Sequence, residues 1–423
     1  MEIVTIIAID RAEKEVAQAC MLLEKEFSVK VQAYQLVSTN YRNSDSYKSD
    51  EALGYFEEIV IDFSDIDTLK DTLETISKGQ VILHCRTEAG IQDYSKVISL
   101  LPDTIAPSVE SLNLSTQKFL MRESMSQRYP EICPKYLKLE SFDSFDPGSI
   151  DTFSYPLIVK PNGLNSSLFV TKCADYSEVT AAIRSIFRQL GPVYEREYGT
   201  GKPSLLIEEF IECEMYSVDA HIGQNESYTF LPPVRVITAA EAGLGGFFCY
   251  RNILPTSLTD ADINEANNCA SKALKSVGLT NNSAHIELFR TKLGWKIIEL
   301  GPRIGGYRHD LYMQAYGINS IYNDILIHYG KKPNVTPRWQ RHSAGLHTFA
   351  EKEGRIEKIS GFDEAKLVNS VNYLYLGAVL GQQAKFASNG GLSLVDGVLS
   401  NDDALELEQD VAAVRANLKI YVK

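Results

Sequence analysis

Two acidic residues stand twelve positions apart inside strand-like runs: Glu287 in His285-Ile-Glu-Leu-Phe289, and Glu299 in Ile297-Ile-Glu-Leu-Gly-Pro-Arg-Ile-Gly-Gly306. The stretch between them, Arg290-Thr-Lys-Leu-Gly-Trp295, is polar and turn-forming, so the pattern predicts a β-hairpin with one Glu on each strand. Both flanks are apolar, which points two carboxylates to one place in an otherwise buried setting. Buried like charges repel and are costly without a cation. Mg2+ is the natural remedy, because it is hard and prefers carboxylate oxygen. Arg303 follows Glu299 by four residues, just ahead of Gly305 and Gly306.

The rest of the chain sets bounds on this reading. A length of 423 residues predicts roughly two to four domains, with a core large enough to need no disulfide staples. The formal net charge of −13 argues against a nucleic-acid partner. Seven cysteines without a Cys-x-x-Cys pair predict reduced thiols and a cytoplasmic location. No zinc-ligand spacing appears among the histidines. Met1–Asp10 lacks the basic and long apolar regions of a signal peptide and reads as a buried strand. No run approaches the length of a transmembrane helix, so no membrane partner is expected.

Along residues 1–106, strands at Ile3–Ile9, Val29–Leu36, Glu58–Ile61 and Val81–His84 alternate with helices at Ala12–Phe27 and Ile66–Ser77. That alternation predicts an open, mostly parallel α/β sheet. No G-x-G-x-x-G follows the first strand, so no dinucleotide site is expected there. A helix is predicted at Asn113–Ser124, with Ser115 or Thr116 as cap. Strands follow at Tyr155–Lys160, Phe169–Thr171, Leu205–Ile211 and Met215–Ile222, and helices at Tyr176–Leu190 and Ala261–Val277. After the Glu287/Glu299 hairpin come helices at Tyr307–Tyr316 and Ser320–Tyr329. Lys331-Lys-Pro-Asn-Val-Thr-Pro-Arg338 marks a boundary before a β-rich tail that ends in a helix, Leu405–Leu418, and a short strand.

Two further segments carry chemistry. The strand ending in Lys160 runs into Pro161-Asn-Gly-Leu-Asn-Ser-Ser167. A strand, a small polar loop with Ser166 and Ser167, and a second strand would bring an ammonium and several backbone N–H groups over one spot, which suits a triphosphate. In Leu205–Asp219 an apolar strand, an acidic hinge and a second strand form a linker between lobes.

The carboxylate hairpin, the Lys160 loop, a helical Lys118 ahead of it and the acidic hinge occur here in the order and spacing that resemble ATP-grasp enzymes. The resemblance covers about residues 108–330. It implies an N-terminal α/β domain (1–107), an ATP-grasp domain (108–333) whose lid lobe spans about 135–207, and a β-rich C-terminal subdomain (334–423). It implies ATP as cofactor with one or two Mg2+ ions, for which Mn2+ can substitute, held by Glu287 and Glu299. Lys118 and Lys160 would hold the outer phosphates. Glu208, Glu209 and Ile211 match the hinge positions whose backbone recognises adenine, and Glu214 the ribose ligand, although the alignment slips by one at Met215.

Relatives often continue the second metal carboxylate as Glu-x-Asn-x-Arg, whereas this chain reads Glu299-Leu-Gly-Pro-Arg303. Gly301 cannot ligate a second ion through a side chain, although two ions stay compatible if Glu299 bridges them. This version resembles the branch that contains the L-amino acid ligases, which make dipeptides. The implied reaction is ATP-dependent joining of a carboxylate, an amino acid above all, to an amine through an acylphosphate. Arg303 would stabilise the acylphosphate and the oxyanion, and Gly305 and Gly306 would let backbone approach the substrate. Glu241-Ala-Gly-Leu-Gly-Gly246 is a candidate mobile cover. Arg308 and His309 are candidates for a substrate carboxylate, with His309 also a candidate base, Asp310 for an ammonium, and Arg235 and Asp219 for the pocket wall. His285, two residues before Glu287, should share its strand face. Similar ligases are often homodimers, so a homodimer is possible. A biotin-carboxylase-like or nucleotide-pathway ligase, or a non-catalytic nucleotide-binding ATP-grasp protein, remains an alternative.

Overall fold

The structure is a computed structural model, and it describes residues 1–43, 54–163, 168–198, 203–243, 249–386, 391 and 393–423. The N-terminal sheet has four parallel strands, Ile3–Ile9, Lys30–Ser38, Glu57–Ile61 and Gln80–Cys85, in the order third, second, first, fourth. Nearly every residue of the first strand is buried, which explains its unbroken apolar run. Strand order reverses between the first and fourth strands, so the crevice outside their carboxyl ends is a topological switch point. Asp10–Glu13 and Arg86–Gly90 follow those two ends.

Where one helix was expected at Asn113–Ser124, the chain forms two, Val109–Thr116 and Lys118–Arg128. The break falls at Gln117, whose backbone is extended. Ser108 is the cap of the first helix, accepting from Ser111 N at 3.1 Å. The Ser115 and Thr116 hydroxyls instead donate back to carbonyls one turn earlier, a use of Ser and Thr that caps nothing. The second helix is capped from a distance. Asn162 Oδ1 accepts from Phe119 N at 2.7 Å, and the Asn162 carbonyl accepts from Lys118 N at 3.2 Å. The first residues after the Lys160 strand thus orient the helix that carries Lys118.

A small lobe holds an antiparallel sheet in the order Tyr136–Leu139, Leu205–Glu209, Leu157–Pro161, Thr171–Cys173, covered by helix Tyr176–Tyr198. Its apolar core includes Leu157, Val159, Ile183 and Ile207. The partner strand starts at Thr171 rather than at Phe169, which adopts a left-handed backbone with φ 59°.

The large sheet has nine strands. Its path runs Gly294–Gly301, Asn282–Thr291, Glu214–Ile222, Val234–Thr238, Cys249–Leu254, His342–Thr348, Val395–Asn401, Val371–Leu376, with Tyr228–Phe230 paired to Glu214–Ile222 off that path. The sheet therefore continues from the hairpin into strands beyond residue 334. A separate three-stranded sheet joins Gln383–Ala384, Gly354–Ser360 and Lys419–Val422. One buried core unites Ile7, Leu83 and Tyr94 of the N-terminal unit with Val218, Ile286 and Leu300 of the large sheet. Polar groups tie the same units. His84 Nδ1 and Ser283 Oγ meet the two oxygens of buried Asp324 at 2.8 and 2.5 Å, and Ser283 lies 2.9 Å from His221 Nδ1. Among the described residues no helix is long and apolar enough to cross a membrane.

Candidate nucleotide and metal site

The hairpin forms as its sequence predicts, from Asn282–Thr291 and Gly294–Gly301, and Glu287 pairs directly with Glu299 across the ladder. A register shift makes this possible. Leu288 pairs with Ile297 and Glu287 with Glu299, so Ile298 is the extra residue of a β-bulge. Both carboxylates line a cavity of about 530 Å3. Ile158, Leu168 and Val170 of the small lobe and Met215, Phe289 and Ile298 of the large sheet line it too, which gives a flat apolar ligand two facing walls. Lys118, Lys160 and the hinge residues Glu209–Met215 also line it.

Charge is arranged tightly at the inner end. Lys118 Nζ lies 3.0 Å from Glu299 Oε1. Burial works to raise the Glu299 carboxyl, but Lys118, and then Lys160 and Arg303, hold it below its ordinary value. Glu208 is buried between two cations, Lys160 Nζ at 2.6 Å and Arg122 Nε at 2.8 Å. Burial again opposes ionisation, and Arg122 and Lys160 outweigh it, lowering Glu208 to about 2. Burial pulls the Lys160 ammonium down in turn, although Glu208 favours its charged form.

The hinge assignments divide. Glu208 has its backbone in the sheet, paired with Tyr136 on one side and Ile158 on the other, so its contribution is its side chain rather than adenine recognition by backbone. Glu209 accepts from Lys135 N at 3.0 Å and faces Lys296 at 3.5 Å. Ile211 lines the cavity, and Lys172 Nζ stands 3.9 Å from the ring centroid of its neighbour Phe210. Glu214 also lines it, half exposed, accepting from Tyr216 OH at 3.1 Å with Arg290 at 3.6 Å. Ser166, Ser167 and part of the Glu241–Gly246 loop lie outside the described residues.

Arg303 reaches across to the N-terminal unit, with Nε 2.8 Å from Glu88 Oε2. Glu88 raises the already high Arg303 value against the effect of burial. A side chain at Gly301 would stand 3.5 Å from Glu88 Oε2, beside this pair. The two glycines that follow differ. A Cβ at Gly305 would fall 2.5 Å from His285 Nδ1 and from Arg308 Cγ, whereas one at Gly306 would meet nothing within 4 Å. His285 shares the Glu287 face as expected. Its Nδ1 lies 2.6 Å from Asp219 and its Nε2 3.5 Å from Glu287, and Asp219 also accepts from Gly305 N at 3.2 Å. Burial works to lower the His285 imidazole, but Asp219 raises it above its ordinary value.

The remaining substrate candidates have the following surroundings. Arg308 is buried and donates to Ser217 Oγ at 3.1 Å. His309 is buried as well, and burial, with Arg86 adding to it, lowers its imidazole to about 3. Asp310 accepts from Tyr373 OH at 2.9 Å. Arg235 lines the same cavity, donating to the Met215 carbonyl at 3.1 Å and pairing with Glu241. Two residues escaped sequence reasoning. Glu88 carried no signal. Arg122 did, because it follows Lys118 by four residues on one helix and so shares its face.

Among the described residues no group of three or more His, Cys, Asp and Glu side chains is placed to hold a metal ion. Two carboxylates are what the hairpin offers. That set fits Mg2+, which binds through one or two carboxylates and completes its shell with water and phosphate oxygens.

Comparison with known proteins places the chain among the following likenesses. Residues 153–310 match the ATP-grasp domain family. The chain is 26% identical over 218 residues to Uncharacterized protein y4rH of Sinorhizobium fredii, covering 51% of this chain and 42% of that protein. It is 25% identical over 146 residues to carnosine synthase 1 of Homo sapiens, covering 34% of this chain and 17% of that protein. The chain thus spans less than half the length of these relatives. The crystal structure of an L-amino acid ligase from Bacillus licheniformis superposes with a TM-score of 0.78 at 18% identity, over 100% of this chain and 99% of that one. Residues 153–310 thus carry an ATP-grasp domain, and the chain along its whole length shares the fold of that ligase structure.

Proposed function

We propose that this protein is an ATP-dependent carboxylate–amine ligase, with an amino acid as the acid. The observation that carries the proposal is the direct pairing of Glu287 with Glu299 in a cavity that also holds Lys118, Lys160 and the hinge. The acid's carboxylate oxygen attacks the γ-phosphorus, the bond to the bridging oxygen breaks, and ADP departs. The amine then attacks the acyl carbon, phosphate leaves, and the amine's proton is released. Glu287 and Glu299 would hold Mg2+, which supplies positive charge to the transferring phosphoryl group. Lys118 and Lys160 hold the outer phosphates, and Glu214 the ribose. Arg303 offers a planar fork to the acylphosphate oxygens. The small lobe, about residues 135–207, covers the nucleotide and excludes water from the acylphosphate.

The acid and amine meet Arg303 from the N-terminal crevice. Open α/β sheets take ligands at such switch points. Glu88 there contacts Arg303, and Glu13 pairs with Arg86 at 3.1 Å. Neighbouring groups of both signs suit a zwitterionic amino acid. All seven cysteines are free, which suits work in the reducing cytoplasm.

Hydroxylamine trapping tests the intermediate. With Mg-ATP, the acid and no amine, an acylphosphate gives a hydroxamate in step with ADP. ADP release without hydroxamate would argue against the acylphosphate.

A further inference from the structure

Arg122 is fully buried at the floor of the cavity, on the helix Lys118–Arg128. Its guanidinium joins segments far apart in sequence. Nε meets Glu208 Oε1 at 2.8 Å, and Nη2 donates to the Ile298 carbonyl at 2.6 Å. Through the other oxygen of Glu208 the link extends to Lys160 at 2.6 Å. Ile298 is the bulge residue that sets Glu299 opposite Glu287. One turn earlier on the same helix, Lys118 contacts Glu299 itself.

A rigid fork suits this duty and an ammonium does not. The guanidinium holds its donors in a fixed plane, so one side chain meets a carboxylate and a carbonyl at once. Lysine supplies charge from a single flexible point. It would neutralise Glu208 yet leave the Ile298 carbonyl unheld.

We propose that Arg122 is a positioning residue that locks the phosphate-binding Lys160 of the small lobe to the bulge of the metal hairpin. The two halves of the site are thereby kept in one register. This inference rests on the reading of the cavity as a Mg-nucleotide site.

The test is ADP binding to the full-length protein by calorimetry, with and without Mg2+, in the wild type, Arg122→Lys and Glu208→Gln. In Arg122→Lys the Mg2+-dependent gain in affinity falls about tenfold while Mg2+-free binding stays within about twofold. In Glu208→Gln, which frees Lys160, Mg2+-free binding itself weakens about tenfold. A purely structural ion pair would lower the melting temperature and leave the Mg2+ gain intact. An unaltered Mg2+ gain in folded Arg122→Lys overturns the proposal. Should Arg122→Lys not fold, unaltered Mg2+-free binding in Glu208→Gln does so. Failure of the wild type to bind ADP at all would instead refute the nucleotide-site reading beneath it.

Discussion

Glu287, Glu299 and Glu208 are three carboxylates in one cavity with different duties, set by their neighbours. Glu287 and Glu299 face each other with cations on one side, and so are suited to share a metal. Replacing Glu287 by Gln keeps the shape and removes half the donor charge. Turnover, read as ADP release, is expected to fall about a thousandfold with the circular dichroism spectrum unchanged. A loss of only a few fold would remove Glu287 from the metal role. Glu208 is held by Arg122 and Lys160, and besides linking them its ionised form stabilises the fold. Its folded value, about 2, lies below its unfolded one. Its contribution is therefore present above the unfolded value near 4.3 and is lost as pH falls from there towards 2. Urea midpoints measured from pH 6 down to pH 2 should drop more steeply in the wild type than in Glu208→Gln, and parallel curves would contradict the assignment. At this scale the sequence pointed to Lys118, Lys160, Glu287 and Glu299, and all four line one cavity. It could not expose Glu88 as the partner of Arg303, because that contact spans 215 positions.

The hairpin was legible as an element because alternating apolar residues flank a turn, but its bulge was not. One extra residue leaves no mark in such a pattern, yet it decides that Glu299 and not Ile298 faces Glu287. Strands Val234–Thr238, Cys249–Leu254 and Val395–Asn401 also went unseen. Their polar residues look exposed in sequence but find distant partners. Asn252 is buried beside His347, Arg251 pairs with Glu408 at 2.6 Å, and Asp396 with His347 at 3.0 Å. The Gly305–Gly306 turn gives the sharpest test at this level. Gly305→Ala forces a methyl against His285 and Arg308. Overpacking of this kind costs about 1–3 kcal/mol, and it should lower the melting temperature and disturb ADP release together. Gly306→Ala meets open space and should change neither. Equal behaviour of the two variants would show that close backbone packing is not why Gly305 is there.

Across the whole molecule, the N-terminal sheet and the large sheet act as one body, because a common apolar core and the buried Asp324 network cross between them. The parallel N-terminal sheet was readable from its alternation of strands and helices. The joining network was not, since His84, Ser283 and Asp324 are far apart in the chain. Asp324→Ala leaves buried His84 and Ser283 without their acceptor. Removing one partner from such a network costs about 3–5 kcal/mol, and denaturant unfolding should register a loss of that order. A loss under about 1 kcal/mol would mean the apolar core alone joins the units. The joined body brings Glu88 of the N-terminal unit to Arg303. The most direct measurement is phosphate release from Mg-ATP over a panel of amino acids, singly and in pairs, with ADP and AMP resolved. ADP and phosphate formed in step, only when one particular acid and one particular amine are both present, is the predicted result. AMP and pyrophosphate as products would contradict the acylphosphate mechanism.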